Sequence, residues 1–475
     1  MQKQNLSDNT NPVQTAELSS GTAIHDMTKG NPMSLILGFS LPMLMGLLFQ
    51  QFYSLADTVI VGRFIGVNAL AAVGSTGSIN FFIIGFCTGV CSGFSIPVAQ
   101  CFGARDYKGL RKYVANSIWL SVLFSIVMTF FVVLFCMPIL KLMNTPDDII
   151  SRAYSFIVII FLGIPATYLY NLTSGIIRSL GDSKTPVYFL LLASVMNIAL
   201  DLIFILVLHM DVNGAACATV ISQLAAGISC LVYMILKFPI LKISREEAVP
   251  DLHSIKILCS MGIPMGLQYS ITAIGSVILQ TSVNGLGSKA VAAVTASTRI
   301  SNFIVCPFDA MGATMATYGG QNIGARQLQR IKDGLRSCVI LGFGYAVISF
   351  GLLILFSHHL LLFFIDAKET QLLTNAETVL MTTAAFYFLL ALVDIIRFLI
   401  QGMGFSGFAV LSGVFEMIAR TFAGFVLVPA FGFIAVAYAS PIAWLMADCF
   451  LIPAFFHVSG KLKRMFQNNH SVCEN

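Results

Sequence analysis

Apolar runs of about 20 residues or more, long enough for a helix to cross a hydrocarbon core, recur along the whole chain between short polar stretches. Hydropathy places them near 33–58, 66–98, 114–140, 151–177, 186–208 and 213–236, then near 257–284, 289–319, 336–362, 374–400, 407–430 and 433–457. Ten-residue segments of alternating polarity, the mark of a membrane barrel, are missing, so the pattern predicts twelve transmembrane helices.

The longest hydrophilic stretch between these runs is Lys237 to Lys256, with Arg245, Glu246, Glu247 and Pro250. The expected organisation is a tail over 1–32, a first six-helix lobe over 33–236, a linker over 237–256, a second six-helix lobe over 257–458 and a tail over 459–475. The two halves repeat in sequence. Ala69-Leu-Ala-Ala-Val73 returns as Ala290-Val-Ala-Ala-Val294, and Gln100-x-x-Gly103-Ala104-Arg105 as Gln321-x-x-Gly324-Ala325-Arg326, at one offset of 221 residues. Six spans per half keep both copies in the same orientation. The expected fold is therefore an all-α polytopic membrane protein of two lobes related by a parallel internal repeat.

Composition agrees: 57% of residues are hydrophobic and 10% charged, far from a water-soluble domain. The net charge of +5 does not form a nucleic-acid face, because the basic residues sit in short loops. Arg105, Lys108, Arg111 and Lys112 share one loop, and Arg326, Arg330, Lys332 and Arg336 its counterpart, while the opposite side has only Arg63, Lys141, Arg152, Lys289 and Lys368. By the positive-inside rule both termini are expected in the cytoplasm and the protein in the cell inner membrane. The first 31 residues do not read as a leader, since no short apolar core precedes small cleavage residues. The eleven cysteines form no CxxC pair or Cys/His cluster and read as reduced core residues. No span carries HExxH, paired DxxxD or a serine elbow, so an enzyme is not expected.

Charges inside spans are costly and need a partner or a task. Asp57 and Asp201 stand out in the first half. Asn197 and Asp201 are four apart and project from one helical face. The bland alternatives are an interhelical hydrogen bond for Asp201 and pairing with Arg63 for Asp57. Near Gly181 and Gly404 the local offset is 223, so Asn197 falls on Arg420 and Asp201 on Gly424, and the second half lacks the constellation. That half has Glu416 and Arg420 at i,i+4, read as a structural ion pair, Asp394 and Arg397 at i,i+3, and Arg299, Asp309 and Asp448.

Several segments resemble the multidrug and toxic compound extrusion (MATE) family, in its bacterial MepA- or DinF-like branch. They are Leu41-Pro42, Asp57-Thr58 with Val61-Gly62, Gln100-x-x-Gly103-Ala104-Arg105-Asp106, Arg178-x-x-Gly181-Asp182, Ile263-Pro264, Gly320 to Ala325 and Gln401-Gly402-Met403-Gly404, in order from about Gly30 to about Gly460. The resemblance implies a secondary active antiporter that exports organic, typically amphipathic cationic, compounds by alternating access, as a monomer and without a cofactor. It also implies a coupling site for H+ or Na+ in the first lobe, built from Asp57, Asn171, Asn197, Asp201 and Thr219. The second site that other branches form with acids of the seventh and tenth helices is not carried over, because the seventh span has only Gln268 and Gln280. A flippase of lipid-linked precursors, from the wider superfamily, is the second reading.

Overall fold

The computed structural model describes residues 26–143 and 145–473, so the expected tail over 1–32 lies mostly outside the described residues, as do 474 and 475. Among the described residues all regular structure is helical. The first half contains α1 (Pro32–Ile60), α2 (Val67–Ser75), α3 (Gly77–Gly103), α4 (Tyr107–Leu142), α5 (Asp147–Leu162), α6 (Ile164–Ser179), α7 (Lys184–Leu202) and α8 (Asp211–Lys237). The second contains α9 (Leu252–Asn284), α10 (Ser288–Gly324), α11 (Leu328–Leu361), α12 (Thr370–Ala385), α13 (Tyr387–Gly402), α14 (Ser406–Phe422), α15 (Val428–Phe431) and α16 (Phe433–Cys473).

Among the described residues ten helices are long and apolar enough to span a membrane, and the pairs α5–α6 and α12–α13, bent by 43° and 50°, bring the count to twelve when each is taken as one broken span. Side chains such as Ile126, Phe130, Val347 and Leu355 stay exposed on the outer surface, as lipid-facing residues must. Each half has its own hydrophobic core, one around Phe94, Phe161 and Tyr168, the other around Phe308, Tyr318 and Tyr387.

The repeat is visible in the backbone. Left-handed conformations fall at Gly66 and Gly287, at Arg105 and Arg326, at Gly181 and Gly404, and at Asp211 and Gly432. The bends at Gly163 and Phe386 keep the same register. Pro165 explains the first bend, since it withholds a helical N–H; the second has neither proline nor glycine at the break.

Two expected boundaries change. The second span, placed at 66–98, breaks at Thr76 into α2 and α3, whereas its counterpart α10 is continuous. Gly74 and Gly77 flank the break, and the second half has Thr295 and Thr298 in their place, so only the first copy has the cheap backbone freedom to kink. The tail expected from 459 is instead the end of α16. It packs back on its own half, with Leu462 buried and Lys461 over the Phe405 ring. The linker is tied to the first half. Arg111 holds Glu247 at 2.8 Å, Lys112 holds Asp251 at 3.0 Å and Trp119 Nε1 donates to the Ala248 carbonyl at 2.9 Å.

The first helix of each half crosses to the other. The start of α1 buries Ile36 and Phe39 in the second core, while its far end, Ile60, packs with Ile205 and Ala215 of the first half. Leu258, near the start of α9, is buried in the first core, and Val283, near its end, lies in the second half. Just before α1, Met27 is fully buried on the second half. Its N–H donates to Gln321 Oε1 at 2.9 Å, and its carbonyl accepts from Asn322 and Arg330, each at 3.2 Å.

Candidate functional site

Asp57 lies one turn before α1 gives way to a π-helical segment, Val61–Ile65; Asp201 lies at the end of α7, just before the π segment Ile203–Val207. Such wide turns inside helices recur at functional sites. The α1 face carrying Tyr53 and Asp57 meets the α7 face carrying Asn197 and Asp201, which makes the two carboxyl groups close neighbours. From α8, Thr219 Oγ1 approaches Asn197 Nδ2 at 3.5 Å and donates to the Ala215 carbonyl at 3.0 Å. Asp201 is completely buried and Asn197 nearly so.

The acceptors outnumber the donors. Asp57 Oδ1, Asn197 Oδ1 and both carboxyl oxygens of Asp201 are buried without a hydrogen-bond partner. Among the described residues no ion pair joins Asp57 to Arg63, and the polar group that faces Asp201 from the neighbouring helix is a second carboxyl, Asp57, not a donor. Buried oxygens without donors are expensive unless a cation or a proton completes them. This set of hard oxygens suits either.

Four of the five expected residues thus come together. Asn171 is not hydrogen-bonded to them: its Nδ2 donates to the Thr167 carbonyl of its own helix at 2.8 Å. It ends a polar track, in which Thr167 Oγ1 donates to Gln223 Oε1 at 3.2 Å and Gln223 stands one turn after Thr219. Tyr53 and Gln223 were not anticipated. Their i,i+4 spacing from Asp57 and Thr219 was the available signal.

The second half treats its charges differently. Arg397 binds Glu416 at 2.8 Å and Asp394 at 3.1 Å, while Arg420 reaches Glu416 at 3.5 Å and donates to Ser276 Oγ at 3.2 Å. The Glu416–Arg420 pair read from the sequence is therefore one edge of a larger cluster, because the bent α13 brings Arg397 closer to the carboxylate. Asp448 is buried beside this cluster with neither carboxyl oxygen partnered, and Asp309 is exposed.

The halves meet at the end that carries the basic loops, through a reciprocal contact. Gln100 Nε2 donates to the Gly402 carbonyl at 3.0 Å, and its counterpart Gln321 donates to the Ser179 carbonyl at 2.9 Å. Gly103 and Gly324 make this approach possible, since a Cβ on either would lie 1.9 Å from the backbone oxygen of Gln321 or Gln100. This end is sealed, leaving above it a cavity of about 60 Å³ bounded by both halves.

The MatE family model matches residues 42–203 and 264–426. A Bacillus subtilis protein named Probable multidrug resistance protein YoeA is 30% identical over 373 residues, covering 77% of this chain and 80% of that one. A Shewanella oneidensis protein named FAD transporter is 25% identical over 308 residues, 63% of this chain and 67% of that one. Among solved structures, the outward-facing conformation of a multidrug resistance MATE family transporter of the MOP superfamily superposes with a TM-score of 0.86 at 23% identity, over 93% of this chain and 99% of the other.

Proposed function

The chain belongs to the MATE family of efflux transporters, and from that premise we propose that it is a secondary active antiporter exporting organic, chiefly amphipathic cationic, compounds in exchange for H+ or Na+. The observation that carries the coupling half of this reading is the set of buried, unpartnered oxygens on Asp57, Asn197 and Asp201. Two facing carboxylates cannot both stay charged and bare in a low-dielectric interior, so the site holds either a shared proton or a cation.

The excess of basic residues in these loops supports a cytoplasmic reading of the sealed end in a cell inner-membrane protein, and on that reading the conformation opens outward. An ion arriving from outside reaches Asp57 and Asp201. α1 then links that site to the opposite half, because its other end is buried there with Met27. Charge neutralisation at Asp57 and Asp201 biases the two lobes between outward- and inward-open arrangements, and the substrate leaves down the resulting difference in affinity. Each monomer holds a complete pathway.

Efflux of a cationic dye from proteoliposomes, driven in turn by an imposed Na+ gradient and by an imposed pH gradient, tests the reading. One gradient is expected to drive export. Export that proceeds equally without either would reject ion coupling.

A further inference from the structure

The cavity above the sealed end has a polarity that export of simple cations does not require. The first half lines it with Arg178, Ser92 and Ser95, the second with Thr317, Met265 and Phe398; no carboxylate lines it. Arg178 is half-buried. Among the described residues no carboxylate lies within 4.0 Å of its guanidinium, and the group donates no hydrogen bond. A guanidinium withdrawn from water without a counter-charge is costly, and its planar fork fits a carboxylate or phosphate group. The hydroxyls of Ser92 and Thr317, which donate no hydrogen bond among the described residues, supply two further donors beside it. The volume, about 60 Å³, matches the share of roughly two waters and accommodates one such group, not a whole drug.

Charge changes along the wall. On α10, Asp309 and Ala313 are one turn apart on the face that continues to Thr317. Asp309 therefore stands about 6 Å further from the sealed end than Ala313. It is exposed and has no basic partner within 4.0 Å among the described residues. A compound with its anionic group at the bottom of the cleft and its cationic part further out satisfies both side chains.

We propose that Arg178, with Ser92 and Thr317, forms an oxyanion subsite of the export cleft, and that the preferred substrates are amphiphiles carrying a carboxylate or phosphate group as well as a cationic or aromatic body. The subsite rests on the reading of the cleft as the transport path but not on ion coupling. Because both lobes line it, an anion bound there favours the arrangement sealed at this end.

Tetramethylrhodamine and its methyl ester share a cationic ring system and differ only in whether the benzoate is free. Fluorescence anisotropy titration of the purified full-length protein in nanodiscs, at constant ionic strength and without any ion gradient, separates subsite from coupling. The acid is expected to bind at least about tenfold tighter than the ester, the scale of one hydrogen bond to a charged group. Inorganic phosphate should displace the acid and leave the ester in place. Arg178→Gln should abolish the preference while leaving ester affinity within about twofold, and Arg178→Lys should retain part of it. Thr317→Val, expected to weaken the acid about threefold, covers the case in which Arg178→Gln fails to fold. Equal binding of acid and ester to the unmodified protein, absence of acid binding below millimolar concentration, or equal loss of both probes in Arg178→Gln overturns the subsite. Efflux that fails in proteoliposomes while the acid preference persists would instead count against antiport alone.

Discussion

Ile278 and Gly424 occupy, in the second half, the places that Asp57 and Asp201 occupy in the first, and the two pairs show how one backbone supports two kinds of interior. Gly424 packs against α9, where a Cβ would come within 2.5 Å of Ser282 Oγ and 3.8 Å of the Ile278 carbonyl. Helix contact fills the position. In the first half the same contact carries two carboxyl groups and leaves their oxygens without donors. The second half does contain buried acids, but Asp394 and Glu416 are held by Arg397 and Arg420. Asp448 is also buried without a donor, but it stands beside Arg397; what sets the first half apart is two carboxyl groups facing each other with no basic residue paired to either among the described residues.

The largest expected effect follows from breaking the first pair. Asp201→Asn and Asp57→Asn each keep the shape of the site and remove its charge, so gradient-driven dye efflux should fall to background. Substrate binding to the purified proteins should stay within about tenfold, or about 1.4 kcal/mol, as the coupling role proposed for these residues requires. Full export by well-expressed Asp57→Asn and Asp201→Asn proteins would return both aspartates to a structural role. Thr219→Ala should be milder, since it withdraws one neutral oxygen that water partly replaces.

The second cluster should respond in stability. Glu416→Gln leaves Arg397 with Asp394 and strips Arg420 of the carboxylate it pairs with among the described residues, an uncompensated burial that costs about 3–5 kcal/mol. Replacing Glu416 by Gln and Arg420 by Met together should cost clearly less than the sum of the single changes. Thermal melts in one detergent check this, and strictly additive losses would mean that the two side chains are not coupled.

How much of this was legible in the sequence depended on the range of the interaction. Spans, the two-lobed repeat and the shared helical face of Asn197 and Asp201 are local or periodic, so composition and spacing were enough. Asn171 was assigned by resemblance, and its amide turned out to serve the Thr167 carbonyl, a local hydrogen bond that no spacing forbids. The place of Arg397 between Asp394 and Glu416 depends on how α13 packs against α14, and the partnerless state of Arg178 on what two lobes bring to one cavity. The docking of Met27 on Gln321 and Asn322 spans nearly 300 positions of sequence. Nothing in the polar segment around Met27 signals that contact.

Where the halves agree, mutations should agree too. Gly103→Ala and Gly324→Ala insert a methyl group into the same kind of backbone contact from opposite sides, and each should cost the sealed state about 1–3 kcal/mol, the usual scale of overpacking. Electron–electron distance measurements between spin labels at Lys108 and Lys332 should show the sealed population falling by similar amounts in both. A loss confined to one glycine would show that the two halves do not share the seal equally.

The smallest effect lies in the linker, where the charge is paired and outside the spans. Arg111 and the Ser244 backbone hold the Glu247 carboxyl at about 2, below the roughly 4.3 of an unfolded glutamate. Since the folded value is the lower one, the tie stabilises fully above about pH 4.3 and weakens as pH falls toward 2. Glu247→Gln should therefore lower stability by about 1 kcal/mol or less at pH 7, as for a partly exposed pair, and less than half of that difference should remain at pH 3. It should leave export unchanged, in contrast to Asp57 and Asp201, because the pair fastens the linker to α4 and faces neither the coupling site nor the cleft. Melts of both proteins at pH 7 and pH 3, with efflux measured at pH 7, check each part. A stability gap that widens on acidification would mean that Arg111 does not hold the carboxylate.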